Sequence, residues 1–152
     1  MKSRQQLRRY ESLTKLRQRQ EDMKAQVYAT AERNVKTAKQ ECENLERQQQ
    51  SLLQESTVSE EGQIDIERKR ALIQFERYTA QRIVEQYAVI QERTVIAEGK
   101  RTELNSAMIL RKMMETLSKH SREAIVNEWN RQERYDLDEI ATQRAGQQKR
   151  KQ

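Results

Sequence analysis

Not one proline interrupts the 152 residues of this chain, and glycine occurs only at Gly62, Gly99 and Gly146. Proline and glycine are the residues that most often end helices and build turns, so a chain almost without them is expected to form very long helices. Glu, Gln, Arg, Lys, Ala and Leu dominate the sequence, and all of them are good helix formers. Disordered chains tend to be richer in proline, glycine and serine, which argues against disorder.

The balance of apolar and charged residues excludes an ordinary globular core. Hydrophobic residues make up 34% of the chain and charged residues 36%, whereas globular domains have about 45–50% and about 25%. So few apolar groups could not offset the conformational entropy that a compact globule loses on folding. Long helices that share one narrow apolar seam remain as the expected structure.

Apolar and small residues follow one another in steps of three and four, the spacing of a coiled-coil seam. In the first half the series comprises Leu13, Leu16, Met23, Val27, Ala31, Val35, Ala38, Cys42, Leu45 and Leu52, with Gln20 and Gln49 filling two gaps. In the second half it comprises Ile73, Glu76, Ala80, Ile83, Tyr87, Ile90, Thr94, Ala97, Arg101 and Leu104, and after a slip near Met108 it resumes at Met114, Leu117, Ser121 and Ala124. The two series predict two helices with facing seams.

Between the two series lies a short segment with turn chemistry, in which Ser56, Thr57 and Ser59 precede Gly62. We therefore predict an all-α fold, a long antiparallel two-helix coiled coil (an α-hairpin) that forms a single domain over the whole chain. Helix 1 is expected over about 4–55, the turn over about 56–63, helix 2 over about 64–143, and a basic tail over about 144–152.

Folding the chain at about residue 60 places Val35 opposite Tyr87 and the start of helix 1 opposite Leu117 on helix 2. Helix 2 then overhangs by about 25 residues, or roughly 35–40 Å at 1.5 Å per residue. The overhang carries four apolar residues on roughly one face: Ile125, Trp129, Leu137 and Ile140. An apolar stripe without an internal partner predicts an external one.

Charge is distributed unevenly along the chain, whose formal net charge is +6. Basic residues dominate positions 1–20 and the last residues of the tail, whereas positions 55–67 carry five acidic residues and no basic one. A hairpin would gather these charges into one positive and one negative end. The basic end lacks the parallel zipper of DNA-binding coiled coils, and aromatic residues are only 5% of the chain. We therefore expect a protein partner and no nucleic acid.

The chain offers little for catalysis or metal binding, since His120 and Cys42 are the only residues of their kinds. Closed zinc sites and Ser-His-Asp triads need more such residues, and no glycine-rich phosphate loop is present. We expect no enzyme activity and no cofactor. The N-terminus has no apolar signal-peptide core, and no stretch approaches the roughly 20 apolar residues of a membrane span. A cytosolic protein without membrane insertion is the expectation.

The C-terminal segment from Asn130 to Arg144, with its Leu137-Asp138-Glu139 core, resembles the C-terminal signature of the flagellar export protein family FliJ. The opening segment from Arg9 to Arg17, an apolar pair flanked by basic residues, also looks like the start of that family, and the region of Phe75 and Tyr78 is similar. The resemblance extends over the whole chain, and the tail motif is its specific part.

The resemblance implies a cytoplasmic component of flagellar type III export, peripheral to the inner membrane at the export apparatus. FliJ-like proteins resemble the central stalk of rotary ATPases; they bind and activate the hexameric export ATPase, link it to the cytoplasmic domain of the export gate and handle export chaperones. Here the hypothetical ATPase-binding residues are Arg8, Arg9, Ile125, Trp129, Leu137, Ile140 and Arg144. The hypothetical gate-binding residues are Leu45, Leu52, Phe75 and Tyr78.

Two other functions fit the same pattern. The stalk protein of a virulence type III secretion system would have the same form. A structural coiled coil that forms homo-oligomers would share the heptad spacing without either partner.

Overall fold

The computed structural model describes residues 2–58 and 66–149, and the side chains of residues 4–55 and 66–145. All of this described chain is helical, in α1 from Lys2–Val58 and α2 from Ile66–Lys149. The prediction of an all-α helical hairpin is confirmed. The second helix runs to Lys149 rather than to about residue 143, and the greater part of the expected turn, with Gly62, lies outside the described residues.

The chain divides into two compact units, and both helices contribute to each. We call Met1–Asp22 with Ser106–Gln152 the terminal unit and Met23–Asn105 the central unit. In the central unit Lys24 pairs with Glu103 and Tyr87 donates to Glu46. In the terminal unit Arg122 donates to Glu11. In each unit, therefore, early residues of α1 meet late residues of α2, which is antiparallel packing.

The seam of the central unit repeats in steps of three and four on both helices. On α1 its members are Tyr28, Ala31, Val35, Ala38, Cys42, Leu45, Gln49 and Leu52, and on α2 they are Leu72, Glu76, Thr79, Ile83, Gln86, Ile90, Arg93, Ala97, Lys100 and Leu104. Ala38 and Thr79 are the most deeply buried of them. Polar members reach across the seam: Gln86 Nε2 donates to the Ala38 carbonyl (3.0 Å), and Arg93 Nη1 donates to the Asn34 carbonyl (3.0 Å).

The seam of the terminal unit has the same spacing and is more polar. On α1 it comprises Leu7, Tyr10, Thr14, Arg17 and Glu21, and on α2 Ala107, Arg111, Met114, Ser118, Ser121 and Ile125. The Thr14 and Ser118 hydroxyls lie 3.3 Å apart, and Arg111 pairs with Glu21. Hydrogen bonds and ion pairs therefore join the two helices where apolar contacts were expected.

Several residues expected in the seam lie outside it. Leu13 and Leu16 are 41% and 48% exposed, because Thr14 and Arg17 occupy the inner face of α1 instead. On α2 the fully buried Thr79 takes the place expected for Ala80, and Gln86 that of Tyr87. No slip occurs near Met108, since Leu104, Ala107, Arg111 and Met114 keep the regular spacing.

The expected register was also wrong, by more than one helical turn. Asn34 contacts Arg93, so Val35 lies beside Thr94 and Ala97 rather than opposite Tyr87. The position of the reversal accounts for part of this difference: α1 continues to Val58 and α2 begins at Ile66, which places the midpoint between them two residues beyond residue 60. If the reversal moves by one residue along the chain, the residue of α2 that lies opposite a given residue of α1 moves by two. Pairing therefore also continues past Leu117, as far as the half-buried Ile125.

Candidate interaction surfaces

The last part of α2 is a helix without an internal partner. Every residue from 126 to 145 is exposed in the terminal unit, so the overhang begins at Val126, later than expected. Trp129, Leu137 and Ile140 are 65%, 59% and 46% exposed. Together with Val126 they recur at helical spacing and form one face, which we call the tail stripe. Ile125, expected in this stripe, is instead the last half-buried member of the seam.

The opposite face of the same segment carries a different aromatic residue. Tyr135 is exposed, and the Arg131 guanidinium lies 5.8 Å from the centre of its ring. Tyr135 and Leu137 are two residues apart, which corresponds to about 200° of helical turn, so Tyr135 points away from the tail stripe. The two aromatic side chains of the tail thus belong to separate surfaces.

Basic residues lie at the base of the tail and along it. Since Arg122 donates to Glu11 over 2.7 Å, the antiparallel pairing places Arg8 level with Ile125. Arg8 and Arg9 are both exposed, as is Arg144, which lies one helical turn beyond Ile140. The terminal unit therefore brings the predicted basic residues and the tail stripe to the same end of the unit.

The terminal unit has one polar and one apolar flank. Glu11 and Arg122 meet on the polar flank, where they line a groove with Thr14, Lys15, Glu115, Ser118 and Lys119. Leu13 and Leu117 precede Thr14 and Ser118 by one residue, or about 100° of helical turn, and so face the other side. With Leu16, Leu110 and Met113 they form an exposed apolar flank. The apolar spacing of the sequence did not predict this surface, because it placed Leu13, Leu16 and Leu117 in the seam.

Ion pairing within the terminal unit fixes Arg111. Its side chain pairs with Glu21 across the seam and with Glu115 on its own helix over 2.6 Å. These two carboxylates, Glu21 first, raise the pKa of the guanidinium. Arg111 is thus engaged inside the unit, unlike Arg8, Arg9 and Arg144, whose charges remain available at the surface.

The four candidate gate-binding residues lie in the central unit but do not share one surface. Leu45 and Leu52 are half-buried members of the seam. Phe75 and Tyr78 are exposed and adjacent on α2, with ring centres 6.3 Å apart and planes inclined by 33°. Only the aromatic pair therefore presents a large accessible surface to another protein.

The cysteine and the histidine are not brought together. Cys42 is buried in the central seam, where burial above all raises the pKa of its thiol. The His120 side chain is largely exposed, with Nδ1 3.5 Å from Glu123. Within residues 2–58 and 66–149, no group of three or more His, Cys, Asp or Glu side chains could hold a metal ion.

The family model of the flagellar FliJ protein matches residues 5–150. The chain belongs to the FliJ family. The match covers both helices, so membership assigns the chain a role in flagellar protein export. No curated protein and no solved structure matches it.

FliJ proteins are associated with export and are not a known family of enzymes. In the part of the chain that is described, neither helix has an apolar stretch long enough to cross a membrane. The exposed surfaces described above for this FliJ-family chain are the tail stripe with its basic residues, the apolar flank, and the pair of Phe75 and Tyr78.

Proposed function

We propose that this FliJ-family chain is a central-stalk-like component of flagellar type III export that binds and activates the hexameric export ATPase through its terminal unit. The tail stripe carries the proposal. Trp129, Leu137 and Ile140 expose apolar surface on a helix that packs against nothing in its own unit. Exposed apolar surface of this kind is typical of a segment that a protein partner covers.

The chemistry of the stripe supports a tight and oriented contact. A tryptophan that is buried on binding often dominates an interface, and its truncation costs about 2–4 kcal/mol. Arg8 and Arg9 at the base of the tail would steer and orient an acidic partner rather than supply most of the affinity. Such steering between exposed charges weakens as salt screens them.

We further propose that the central unit links the ATPase to the cytoplasmic domain of the export gate. The exposed ring pair of Phe75 and Tyr78 supports this contact, and the half-buried Leu45 and Leu52 would hold α1 behind it. The function also includes handling of export chaperones, at a cytoplasmic location peripheral to the inner membrane. These parts rest on the family resemblance and on the accessible surfaces.

ATPase stimulation by purified variants tests the central claim. Trp129→Ala and Leu137→Ala should each lower the apparent affinity for the ATPase, by about 30-fold or more for tryptophan if 2 kcal/mol is lost. Tyr135→Ala is the matched control, because it removes an exposed aromatic side chain from the opposite face of the same tail. It should leave stimulation unchanged.

Charge reversal distinguishes the electrostatic contribution of the basic residues from the apolar contribution of the tail stripe. Arg8→Glu with Arg9→Glu should weaken stimulation at low salt and much less at high salt. Circular dichroism of every variant must match the parent, since a melted hairpin would also lose activity. Full stimulation by the Trp129 and Leu137 variants, together with its loss on Phe75→Ala, would mean that the central unit contacts the ATPase and that the two ends are assigned wrongly.

A further inference from the structure

The segment of α2 from Val84 to Gly99 is apolar on its outer face as well as in the seam. Val84 and Val95 are 70% and 67% exposed. Val84, Ala88, Gln91, Val95 and Gly99 follow one another at helical spacing, and we call them the outer stripe. A helix that is apolar on opposite faces is expected to be covered on both. In the central unit α1 covers only the inner face.

Small residues in the outer stripe leave room for another backbone to approach. A Cβ atom built on Gly99 would meet nothing within 4 Å, so packing inside the central unit does not require a glycine there. Glycine inside a helix is destabilising relative to alanine. Ala88, three turns earlier, is also small and exposed. Small residues on one helix face allow a second helix to pack closely against it.

Acidic residues border one side of the outer stripe. Glu85 and Glu92 border it on one side. On the other side Glu98 is paired with Arg101, whose Nη1 lies 3.7 Å from Glu98 Oε1. The single basic residue between Val84 and Gly99 is Arg93, which turns into the seam and donates to the Asn34 carbonyl. The outer face of this segment is therefore mainly apolar, with Gln91 as its polar member, and it has an acidic border on one side.

We propose that the outer stripe binds an amphipathic helix of a partner protein, one whose own apolar stripe is bordered by lysine and arginine residues. Apolar and small residues at helical spacing suit a helix laid along α2, and Glu85 and Glu92 select a basic border. A second copy of this chain that used the same face would set acidic residues against acidic residues. The surface is separate from the tail stripe and from the ring pair of Phe75 and Tyr78.

Photo-cross-linking from the full chain in flagellated cells tests the proposal. Benzoylphenylalanine replaces Val95, and the cross-linked partner peptide is sequenced. The expected product is a segment of another protein with a net positive charge and apolar residues three and four apart. The same probe in place of Thr37, an exposed residue on α1 of the same unit, is the control and should give at least tenfold less product.

Two variants then tie the product to the outer stripe. Glu85→Lys with Glu92→Lys removes the charge match, and Gly99→Leu fills the open space; each should lower the yield at least tenfold. Thermal melting confirms that both fold, as expected for exposed sites. A product with a second copy or with an acidic segment would overturn the proposal, as would a yield equal to that at Thr37 or one that both variants leave unchanged.

Discussion

Glu103 lies where two lysines converge in the central unit. Its carboxylate accepts hydrogen bonds from Lys24 Nζ across the seam (2.5 Å) and from Lys100 Nζ on the same helix (2.9 Å). These two bonds, Lys24 first, lower the pKa of Glu103 to about 2. The cluster joins α1 to α2 by charge beside the seam, where coiled coils often carry interhelical ion pairs.

Acid should loosen the central unit through this group. Because the pKa of Glu103 is lower in the folded chain than its ordinary 4.5, the carboxylate stabilises the fold above pH 4.5, and this contribution disappears as pH falls from about 4.5 to about 2. Glu103→Gln should lower the melting temperature at neutral pH and reduce its further fall in that window. Circular dichroism melts at several pH values measure both effects.

Glu92→Gln provides the comparison, since Glu92 is exposed and borders the outer stripe. It should melt like the parent at neutral pH and show the parent's full loss of stability in acid. Equal acid sensitivity of the Glu103 variant and the parent would show that other carboxylates control the transition.

Along each helix the seam positions recur regularly in steps of three and four, yet polar residues occupy many of them. Thr79 is 2% exposed and donates its hydroxyl hydrogen to the Phe75 carbonyl over 2.8 Å, so it is satisfied within its own helix. Arg93 and Gln86 instead donate hydrogen bonds to backbone carbonyls of α1. A side chain that finds such a partner can occupy the seam without the desolvation cost of an unpaired polar group.

This polar filling explains what the sequence could and could not predict. Proline absence and heptad spacing were sufficient for two long helices, and Val35, Ala38 and Cys42 were placed correctly in the seam. In the terminal unit, the apolar spacing placed Leu13 and Leu16 in the seam, where Thr14 lies instead. Thr14 lies there beside Ser118, and this partner is too distant in sequence for a local pattern to show it. Register depends on where the chain reverses, and a few turn-forming residues locate that only approximately.

Gly99 gives a prediction for α2 itself. Because nothing surrounds its Cβ position and it lies within a continuous helix, Gly99→Ala should raise the free energy of unfolding by about 1 kcal/mol. Chemical denaturation monitored by circular dichroism measures this change. Ala88→Gly at the exposed position three turns earlier should have the opposite sign and a similar size. A destabilising Gly99→Ala would show that the backbone there is not regular helix in solution.

Many large apolar side chains of the described residues remain on the surface, and the tail stripe, the apolar flank and the outer stripe hold half of those that are exposed. So narrow a core provides little stabilisation per residue. The polar pairs help to fix which helix faces meet, and we propose that the exposed apolar residues bind partners. In this FliJ-family chain the same two helices thus supply both the packed seams and the exposed apolar surfaces that we propose for binding.

A disulfide tests the pairing that this fold requires. The hydroxyls of Thr14 and Ser118 lie 3.3 Å apart although the residues are 104 positions apart in sequence. Thr14→Cys with Ser118→Cys, in a Cys42→Ala background, should therefore form an intramolecular disulfide on mild oxidation. Closing so long a loop stabilises a fold by roughly 4–5 kcal/mol in the chain-entropy model, so the melting temperature should fall when reductant is added. Thr14→Cys with Ala107→Cys is the control, because a reversal at about residue 60 would bring that pair together instead. If the control pair closes faster than the Thr14 and Ser118 pair, the register described for the terminal unit is wrong.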